Sequence, residues 1–361
     1  MITANKGEWS ELYVLFKLLG EKKVHAGDGN LNKLEAYYPV LKVLRDELKR
    51  HMEYSIDKDI VIITEDKAEI ARINVEEFFT KSKELFKCIQ EGGHGTGAFN
   101  IPSINLFLND INCKKVKAKS IDKADIHLVI HDYHTGMEPN LGFSIKSDAG
   151  AAPTLLNASG ATTFTYEVSG GHIDDNVVDS INSINGTGCV LKRVEAIKQT
   201  GAELKFLSVP NPIFDNNLRM IDSNLPEITG WMLADCYAQK DMNIKKAVER
   251  LSKDNPLNYN LLQGHDHYGY KIKSLLVATA LGMFPSKVWS GRYEATGGYL
   301  VVKSDGDVIC FHLYNRNLLE DYMLYNTKFE TPSKSRYNMG KVYRNGDKYY
   351  FNLVLQIRFL Q

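Results

Sequence analysis

The stretch that decides the fold is Lys123-Ala-Asp-Ile-His-Leu-Val-Ile130, followed shortly by Leu141-Gly-Phe-Ser-Ile-Lys146. Apolar and polar residues alternate in both, which predicts two half-buried strands. The segment between them, Thr135-Gly-Met-Glu-Pro-Asn140, is rich in turn-forming residues and predicts a hairpin. Because side chains alternate across a sheet, the isoleucines and leucine of the first strand should share the core face with Phe143 and Ile145.

The other face of this hairpin carries the candidate site, because alternation brings Asp125, Ser144 and Lys146 together there. A carboxylate at the start of one strand and a lysine on its neighbour can hold a hard cation and a water. The same three residues are also compatible with an ordinary solvated strand face. Asp132 is a rival for Asp125, but an unbroken strand would point it into the core, where an unpaired carboxylate is costly.

The composition is that of a globular protein: 361 residues, 43% of them hydrophobic and 24% charged. That length allows one large domain or two. The N-terminus has no apolar run typical of a signal peptide, and no apolar stretch is long enough to span a bilayer. The five scattered cysteines form no Cys-x-x-Cys pair, which favours reduced thiols over a structural zinc site. These features predict a cytoplasmic protein without a membrane segment.

Net charge is zero, with 44 basic and 44 acidic residues, so any nucleic-acid binding has to come from a local patch. Residues 321–361 contain such a patch, with seven basic and three acidic side chains.

The pattern along the chain predicts an α+β fold, with a mixed central β-sheet flanked by helices and a β-rich C-terminal portion. Helices are expected at 7–19, 75–90, 104–112, 177–184, 191–199, 231–238, 244–252 and 272–281. Further strands are expected at 38–44, 60–63, 162–168, 298–302, 307–314 and 348–359. Asp305-Gly306 and Asn345-Gly346 are typical of hairpin turns. We expect a core at 1–285 with helical elaborations and a β-rich region at 286–361, although a single domain is also compatible.

Two other motifs favour ordinary loops. Gly93-His-Gly-Thr-Gly97 lacks the Gly-Lys-Ser/Thr ending of a phosphate-binding loop. His265-Asp-His267 offers two imidazoles but no third metal ligand nearby.

Three stretches together resemble one known family. They are Asn5-Lys-Gly-Glu-Trp-Ser-Glu-Leu-Tyr13, the run from Leu141 to Ser159 containing Leu-Gly-Phe-Ser-Ile-Lys-Ser147 and Pro153-Thr-Leu-Leu-Asn157, and Tyr325-Asn-Thr-Lys-Phe-Glu-Thr-Pro332 with the ending Leu353-Val-Leu-Gln-Ile-Arg-Phe359. The chain resembles the HpaII family of type II restriction endonucleases over nearly its whole length. The resemblance implies the PD-(D/E)XK nuclease fold and Mg²⁺-dependent cleavage of duplex DNA, with CCGG as the expected site.

The sequence departs from the superfamily pattern at two positions. Ser144 stands where an acid is expected two residues before the lysine, and Ala124 replaces the proline before the first aspartate. Because a serine does not bind Mg²⁺ as a carboxylate does, another acid should complete the site. The resemblance favours Glu11 on the first helix, with Glu8 second and Glu138 third, although both helix acids are also compatible with a solvated helix start.

The resemblance then implies the roles of the site residues. Asp125 and Glu11 would ligate Mg²⁺, with help from the backbone carbonyl of Ile145, and Lys146 would orient the attacking water and offset charge in the transition state. The products would carry 5′-phosphate and 3′-hydroxyl ends.

The partners implied are double-stranded DNA and a separate methyltransferase that protects host DNA. Reading G·C pairs requires donors such as arginine or lysine. The candidate DNA contacts are Asn157, Ser159, Thr162, Lys328, Lys334, Arg336 and Arg358. Two other functions stay open from the residues: a structure-specific repair or junction nuclease, and a catalytically inactive DNA-binding protein in which Ser144 marks a lost acid.

Overall fold

The structure is a computed structural model that describes residues 2–47, 50–92, 97–116, 124–133, 135–150, 152–332 and 339–360. Ten α-helices occur in these residues: α1 (Lys6–Glu21), α2 (Val75–Glu91), α3 (Pro102–Asp110), α4 (Asp175–Ser183), α5 (Cys189–Gln199), α6 (Pro212–Ile221), α7 (Leu225–Gln239), α8 (Ile244–Asp254), α9 (His267–Leu281) and α10 (Arg316–Tyr325). The first nine strands are β1 (Thr3–Ala4), β2 (Lys23–Gly27), β3 (Lys33–Glu47), β4 (Arg50–Asp57), β5 (Ile60–Glu65), β6 (Ala68–Asn74), β7 (Phe99–Asn100), β8 (Ile126–Ile130) and β9 (Asn140–Ser147). The others are β10 (Thr154–Leu156), β11 (Thr163–Gly170), β12 (Ala202–Ser208), β13 (Gly298–Val302), β14 (Val308–His312), β15 (Thr327–Phe329), β16 (Val342–Asn345), β17 (Lys348–Val354) and β18 (Ile357–Phe359).

The chain divides into two compact units, and each unit takes two main stretches of sequence. The first contains residues 1–153 and 293–322, and the second contains 154–292 and 323–360. The domain boundary at 285/286 stays a prediction. Strand pairing in the structure is not local: β13 and β14 belong to the first unit, whereas β15 to β18 belong to sheets of the second.

A nine-stranded mixed sheet forms the centre of the first unit, in the order β2-β14-β13-β9-β8-β3-β4-β5-β6. The long strand β3 pairs with β2 through its first half and with β4 and β8 through its second. Because β3 also pairs with β2, the six strands β2, β14, β13, β9, β8 and β3 form a closed ring of pairings. Within it β9 is antiparallel to β8 and parallel to β13. The predicted hairpin, the mixed sheet and the α+β class are confirmed.

Helix α1 packs against this sheet and against α2. It begins with a capping box in which the Asn5 side chain accepts from the Glu8 amide and the Glu8 carboxylate accepts from the Asn5 amide. The apolar stripe predicted from the sequence is completely buried, and each side chain contributes roughly 1.5–3 kcal/mol of transfer free energy; its members are Leu12, Leu15, Phe16 and Leu19. Phe16 meets Phe78 of α2 edge to face, with ring centroids 5.9 Å apart. The stripe fixes which side of α1 faces β9.

The second unit contains two smaller antiparallel sheets, β12-β11-β17-β16 and β10-β18-β15, together with helices α4 to α9. The four-stranded sheet packs its aromatic face on the helices: Phe164 of β11 meets Phe214 of α6 at 6.3 Å between ring centroids. In the three-stranded sheet, β15 is tied to the loop before α8 by the Phe329 amide, which donates to the Met242 carbonyl at 2.8 Å.

Most predicted elements lie within a few residues of the observed ones, but several were missed. The elements that were not predicted are the helices α6 and α10 and the strands β1, β2, β4, β6, β7, β10, β12, β15 and β16. The region 286–361, expected to be β-rich, also contains the helix α10, which buries Leu319, Tyr322 and Met323. The last predicted strand is broken into β17 and β18 by residues 355–356.

Candidate active site

The hairpin of β8 and β9 gathers the predicted site at the start of β8. Ile126 is paired with Phe143 and Leu128 with Leu141, so these side chains share the core face, as alternation predicts. Asp125 comes immediately before the strand, and its amide donates to the Phe143 carbonyl at 2.8 Å. This bond continues the ladder by one step and places the Asp125 side chain beside β9.

Asp125 is held by two hydrogen bonds to one of its carboxylate oxygens. The Ile145 amide donates to Oδ2 at 2.7 Å, and the Ser144 hydroxyl donates to the same atom at 3.1 Å. Both partners are hydrogen-bond donors, so they hold this oxygen of the carboxylate in place. The bonds orient the carboxylate, and Oδ1 takes part in neither of them.

Lys146 lies one strand step beyond Ile145 and is half-buried. Burial lowers its pKa below the usual lysine value, while the negative charges of Asp125 and Glu11 act in the opposite direction. Its Nζ atom lies 5.6 Å from the centre of the Tyr299 ring. The lysine is therefore a partly desolvated cation between carboxylates, which suits a group that binds a phosphate or a water.

Tyr299 on β13 is a site residue that the sequence analysis missed. The parallel register pairs it directly with Ser144, and its side chain is completely buried. Burial together with the Asp125 charge raises the pKa of its phenol, which therefore stays protonated. Only the pairing of β13 with β9 reveals this neighbour, because the two residues are far apart in sequence.

Glu11 on α1 is brought toward the site by a contact between helix and strand. The Ser10 hydroxyl of α1 donates to the Ser147 hydroxyl of β9 at 2.9 Å. Ser10 is next to Glu11 in sequence and Ser147 is next to Lys146, so this contact holds the two elements together beside the site. Burial lowers the pKa of Lys146, and the charge of Glu11 opposes this lowering; Glu11 also contributes to the raised pKa of the buried Arg45. This position agrees with the preference for Glu11 as the additional acid, which stays a prediction.

The other acids proposed from the sequence have different local roles. Glu8 is the capping-box residue of α1, with its carboxylate accepting from the Asn5 amide at 3.0 Å. Glu138 is exposed beside His131, at the turn end of the hairpin. Because Asn140 and Ser144 are four strand steps apart, that end is about 13 Å from Ser144. Asp132 does not continue β8; its carboxylate accepts from the Thr135 hydroxyl within the turn.

The donor set fits a hard cation that keeps several waters. Within the residues that the structure describes, no group of three or more His, Cys, Asp or Glu side chains could hold a metal ion. Mg²⁺ needs fewer protein ligands, since it is usually bound by one or two carboxylates together with waters and substrate phosphate. The amide and carbonyl of a strand residue point to the same side, so the Ile145 carbonyl lies on the side of Asp125. Asp125 and Ile145 can therefore supply two oxygen ligands.

Comparison with known proteins identifies the family. The model of the HpaII restriction endonuclease family matches residues 5–359. The chain belongs to this family. It is also 42% identical over 360 residues to the type II restriction enzyme HpaII of Haemophilus parainfluenzae, covering 99% of each protein. No solved structure matches the chain significantly.

Membership makes this protein an HpaII-like type II restriction endonuclease, an enzyme class that cleaves double-stranded DNA at specific sites. The resemblance stated from the sequence is confirmed. No helix among the described residues is both long enough and apolar enough to cross a membrane.

The residues predicted to contact DNA belong to the second unit, and those that the structure describes differ in how deeply their side chains are buried. Asn157 is exposed and Ser159 is half-buried. Thr162 is completely buried, and its hydroxyl bonds the Ser159 backbone in a capped turn, so its side chain does not present a phosphate contact in this structure. Lys334 and Arg336 lie outside the described residues.

Lys328 and Arg358 form a pair of cations on the three-stranded sheet of the second unit. They face each other directly across β15 and β18, and both are half-buried. Like charges in directly opposed positions destabilise a sheet unless an anion lies between them or nearby. Glu330 lies 3.6 Å from Lys328, while the Arg358 Nε is buried without a hydrogen-bond partner among the described residues.

Proposed function

We propose that this protein cleaves both strands of duplex DNA at CCGG in a Mg²⁺-dependent reaction. The observation that carries the proposal is the arrangement of Asp125, Ile145 and Lys146 on neighbouring strands, with Asp125 oriented by two donors. The 42% identity to HpaII over 99% of the chain supports the choice of recognition site.

The residues divide the chemical work between them. Asp125 and the Ile145 carbonyl would hold the cation, with Glu11 as the additional acid. When bound, Mg²⁺ supplies Lewis-acid activation of the phosphate and of the attacking water. Lys146 orients that water and offsets the negative charge that develops on the phosphate oxygens. Its partly desolvated position strengthens both interactions. The expected ends are 5′-phosphate and 3′-hydroxyl.

The second unit would supply DNA contacts through Lys328 and Arg358, with Asn157 as a backbone contact. An anionic phosphate or a guanine edge would relieve the repulsion between the two cations and give the Arg358 Nε an acceptor. We also propose a cognate methyltransferase as partner, because an enzyme that cuts so short a site requires protected host DNA. The free cysteines support action in the reducing cytoplasm.

The experiment that tests the proposed function is digestion of a methylation-free plasmid by the purified protein with Mg²⁺ or with a chelator. Discrete Mg²⁺-dependent fragments whose sequenced ends all fall within CCGG would support it. Cutting that follows DNA shape and no sequence would favour a junction or repair nuclease. Specific binding without cutting would favour an inactive DNA-binding protein.

A further inference from the structure

Ser144 stands two residues before Lys146, where related nucleases carry an acid, and it does not stand there alone. It is buried, with 3% of its surface exposed, and Tyr299 lies directly beside it in the parallel register of β9 and β13. Two neutral hydroxyl groups therefore occupy the place where a carboxylate is expected.

The two residues are neighbours across β9 and β13, and the Ser144 hydroxyl contacts Asp125. A serine hydroxyl has one proton and two acceptor lone pairs. The Ser144 proton is used on Asp125 Oδ2 at 3.1 Å, so in a relay from Tyr299 the phenol would donate to a lone pair of Ser144. The Ile145 amide gives Oδ2 its second donor at 2.7 Å.

We propose that Tyr299 and Ser144 are positioning residues for the metal-binding carboxylate: their hydroxyl relay fixes Asp125 so that Oδ1 is directed to the cation. This inference rests on the proposed function and adds to it how the site works without the usual acid. An ionised carboxylate at position 144 has no proton to donate to Asp125, whereas the Ser144 hydroxyl donates to it. The Tyr299 ring, 5.6 Å from the Lys146 Nζ, also borders the catalytic lysine.

The first test compares Tyr299→Phe with Tyr54→Phe in single-turnover cleavage across a series of Mg²⁺ concentrations. Tyr54 is a matched control, because it is a completely buried tyrosine in β4 of the same sheet whose hydroxyl has no hydrogen-bond partner among the described residues. Loss of one orienting bond should raise the half-saturating Mg²⁺ concentration about 3- to 10-fold in Tyr299→Phe. The rate at saturating Mg²⁺ should fall less than the affinity, and Tyr54→Phe should match the wild type.

Ser144→Ala, compared with Ser82→Ala, tests the second member of the relay. Ser82 is also buried, but its hydroxyl bonds the Phe79 carbonyl inside α2. Ser144→Ala should raise the Mg²⁺ requirement at least as much as Tyr299→Phe. Because the two hydroxyls act in series, the double variant should be no worse than Ser144→Ala alone.

A readout without turnover separates positioning from general damage. In the Lys146→Ala background, fluorescence anisotropy would measure how strongly Mg²⁺ improves the affinity for a CCGG duplex, with and without Tyr299→Phe. The Mg²⁺ concentration that gives half of this improvement should rise about 3- to 10-fold, while metal-free affinity and the melting temperature stay close to the background. Equal Mg²⁺ dependence of Tyr299→Phe and Tyr54→Phe would overturn the inference. Failure of the wild type to cut with Mg²⁺ would instead overturn the proposed function.

Discussion

Replacing Asp125 by asparagine is the substitution for which the structure gives the sharpest expectation. Both partners of Oδ2, the Ile145 amide and the Ser144 hydroxyl, are donors. The asparagine must therefore turn its carbonyl oxygen toward them, which places the NH₂ group at the position of Oδ1. An NH₂ group cannot ligate a cation. Asp125→Asn should thus keep the local structure and lose the metal ligand.

The magnitudes follow from the two bonds. A hydrogen bond to a charged acceptor contributes about 1.5–3 kcal/mol and one to a neutral acceptor about 0.5–1.5 kcal/mol. Two bonds therefore lose about 2 kcal/mol, part of which is recovered because a half-buried charge is removed. We expect the free energy of unfolding to fall by about 1–2 kcal/mol. Metal activation supplies several kcal/mol, and each 1.36 kcal/mol is tenfold in rate, so cleavage should slow about a thousandfold or more.

The assays are single-turnover cleavage of a CCGG duplex, thermal unfolding, and duplex binding in the presence of a chelator. Metal-free binding should equal or exceed that of the wild type, since one negative charge near the phosphate is gone. Asp132→Asn is the control, because Asp132 is a second carboxylate beside this hairpin, is buried, and bonds the turn instead of the site. Cleavage by Asp125→Asn within tenfold of the wild type would refute the assigned role.

Three further substitutions test the rest of the site. Lys146→Met should abolish cleavage yet raise the melting temperature at pH 7, because burial penalises the charged lysine. The gain in melting temperature should shrink as the pH rises toward the unfolded pKa of about 10.4. A gain that does not depend on pH would contradict this. Glu11→Gln should reduce Mg²⁺-dependent cleavage at least tenfold, whereas Glu8→Gln should not, since glutamine also completes a capping box; equal effects would remove Glu11 from the site. Arg358→Ala should weaken duplex binding, measured by fluorescence anisotropy at about 50 to 200 mM salt. If Arg358 contacts a phosphate, the slope of log affinity against log salt concentration should decrease in magnitude by about 1. An unchanged affinity would exclude a DNA contact.

The part of the site that depends on local structure could be predicted from the sequence. Alternation in two short segments correctly predicts that Asp125, Ser144 and Lys146 share one face, because one turn joins the strands and the period of two leaves no other register. The capping residues of α1 and its buried stripe are similarly local, so the helix that carries Glu11 could be predicted within two residues at each end.

The part of the site that depends on pairing between distant strands could not be predicted. Tyr299 reaches Ser144 only because β13 runs parallel to β9, and no local pattern in Gly298–Val302 specifies its neighbour. One local feature was missed as well. The Thr162 hydroxyl donates to the Ser159 carbonyl three residues earlier, in a capped turn that competes with outward orientation, and a DNA contact by Thr162 stays a prediction.

Missed elements have equally specific causes. In Arg50–Asp57, Met52, Tyr54 and Ile56 alternate with polar residues, which was a usable signal for β4. Arg316–Tyr325 follows strand-like sequence, but its Arg316–Glu320 pair, at a helical spacing of four, was a usable signal for α10.

The most direct test of the central claim is to sequence the ends made by the purified wild-type protein on methylation-free plasmid DNA, with Mg²⁺ and with a chelator. The site described above predicts cutting only with Mg²⁺, with every end inside CCGG and carrying a 5′-phosphate. Cutting that persists in chelator, or Mg²⁺-dependent ends without a common sequence, would contradict it.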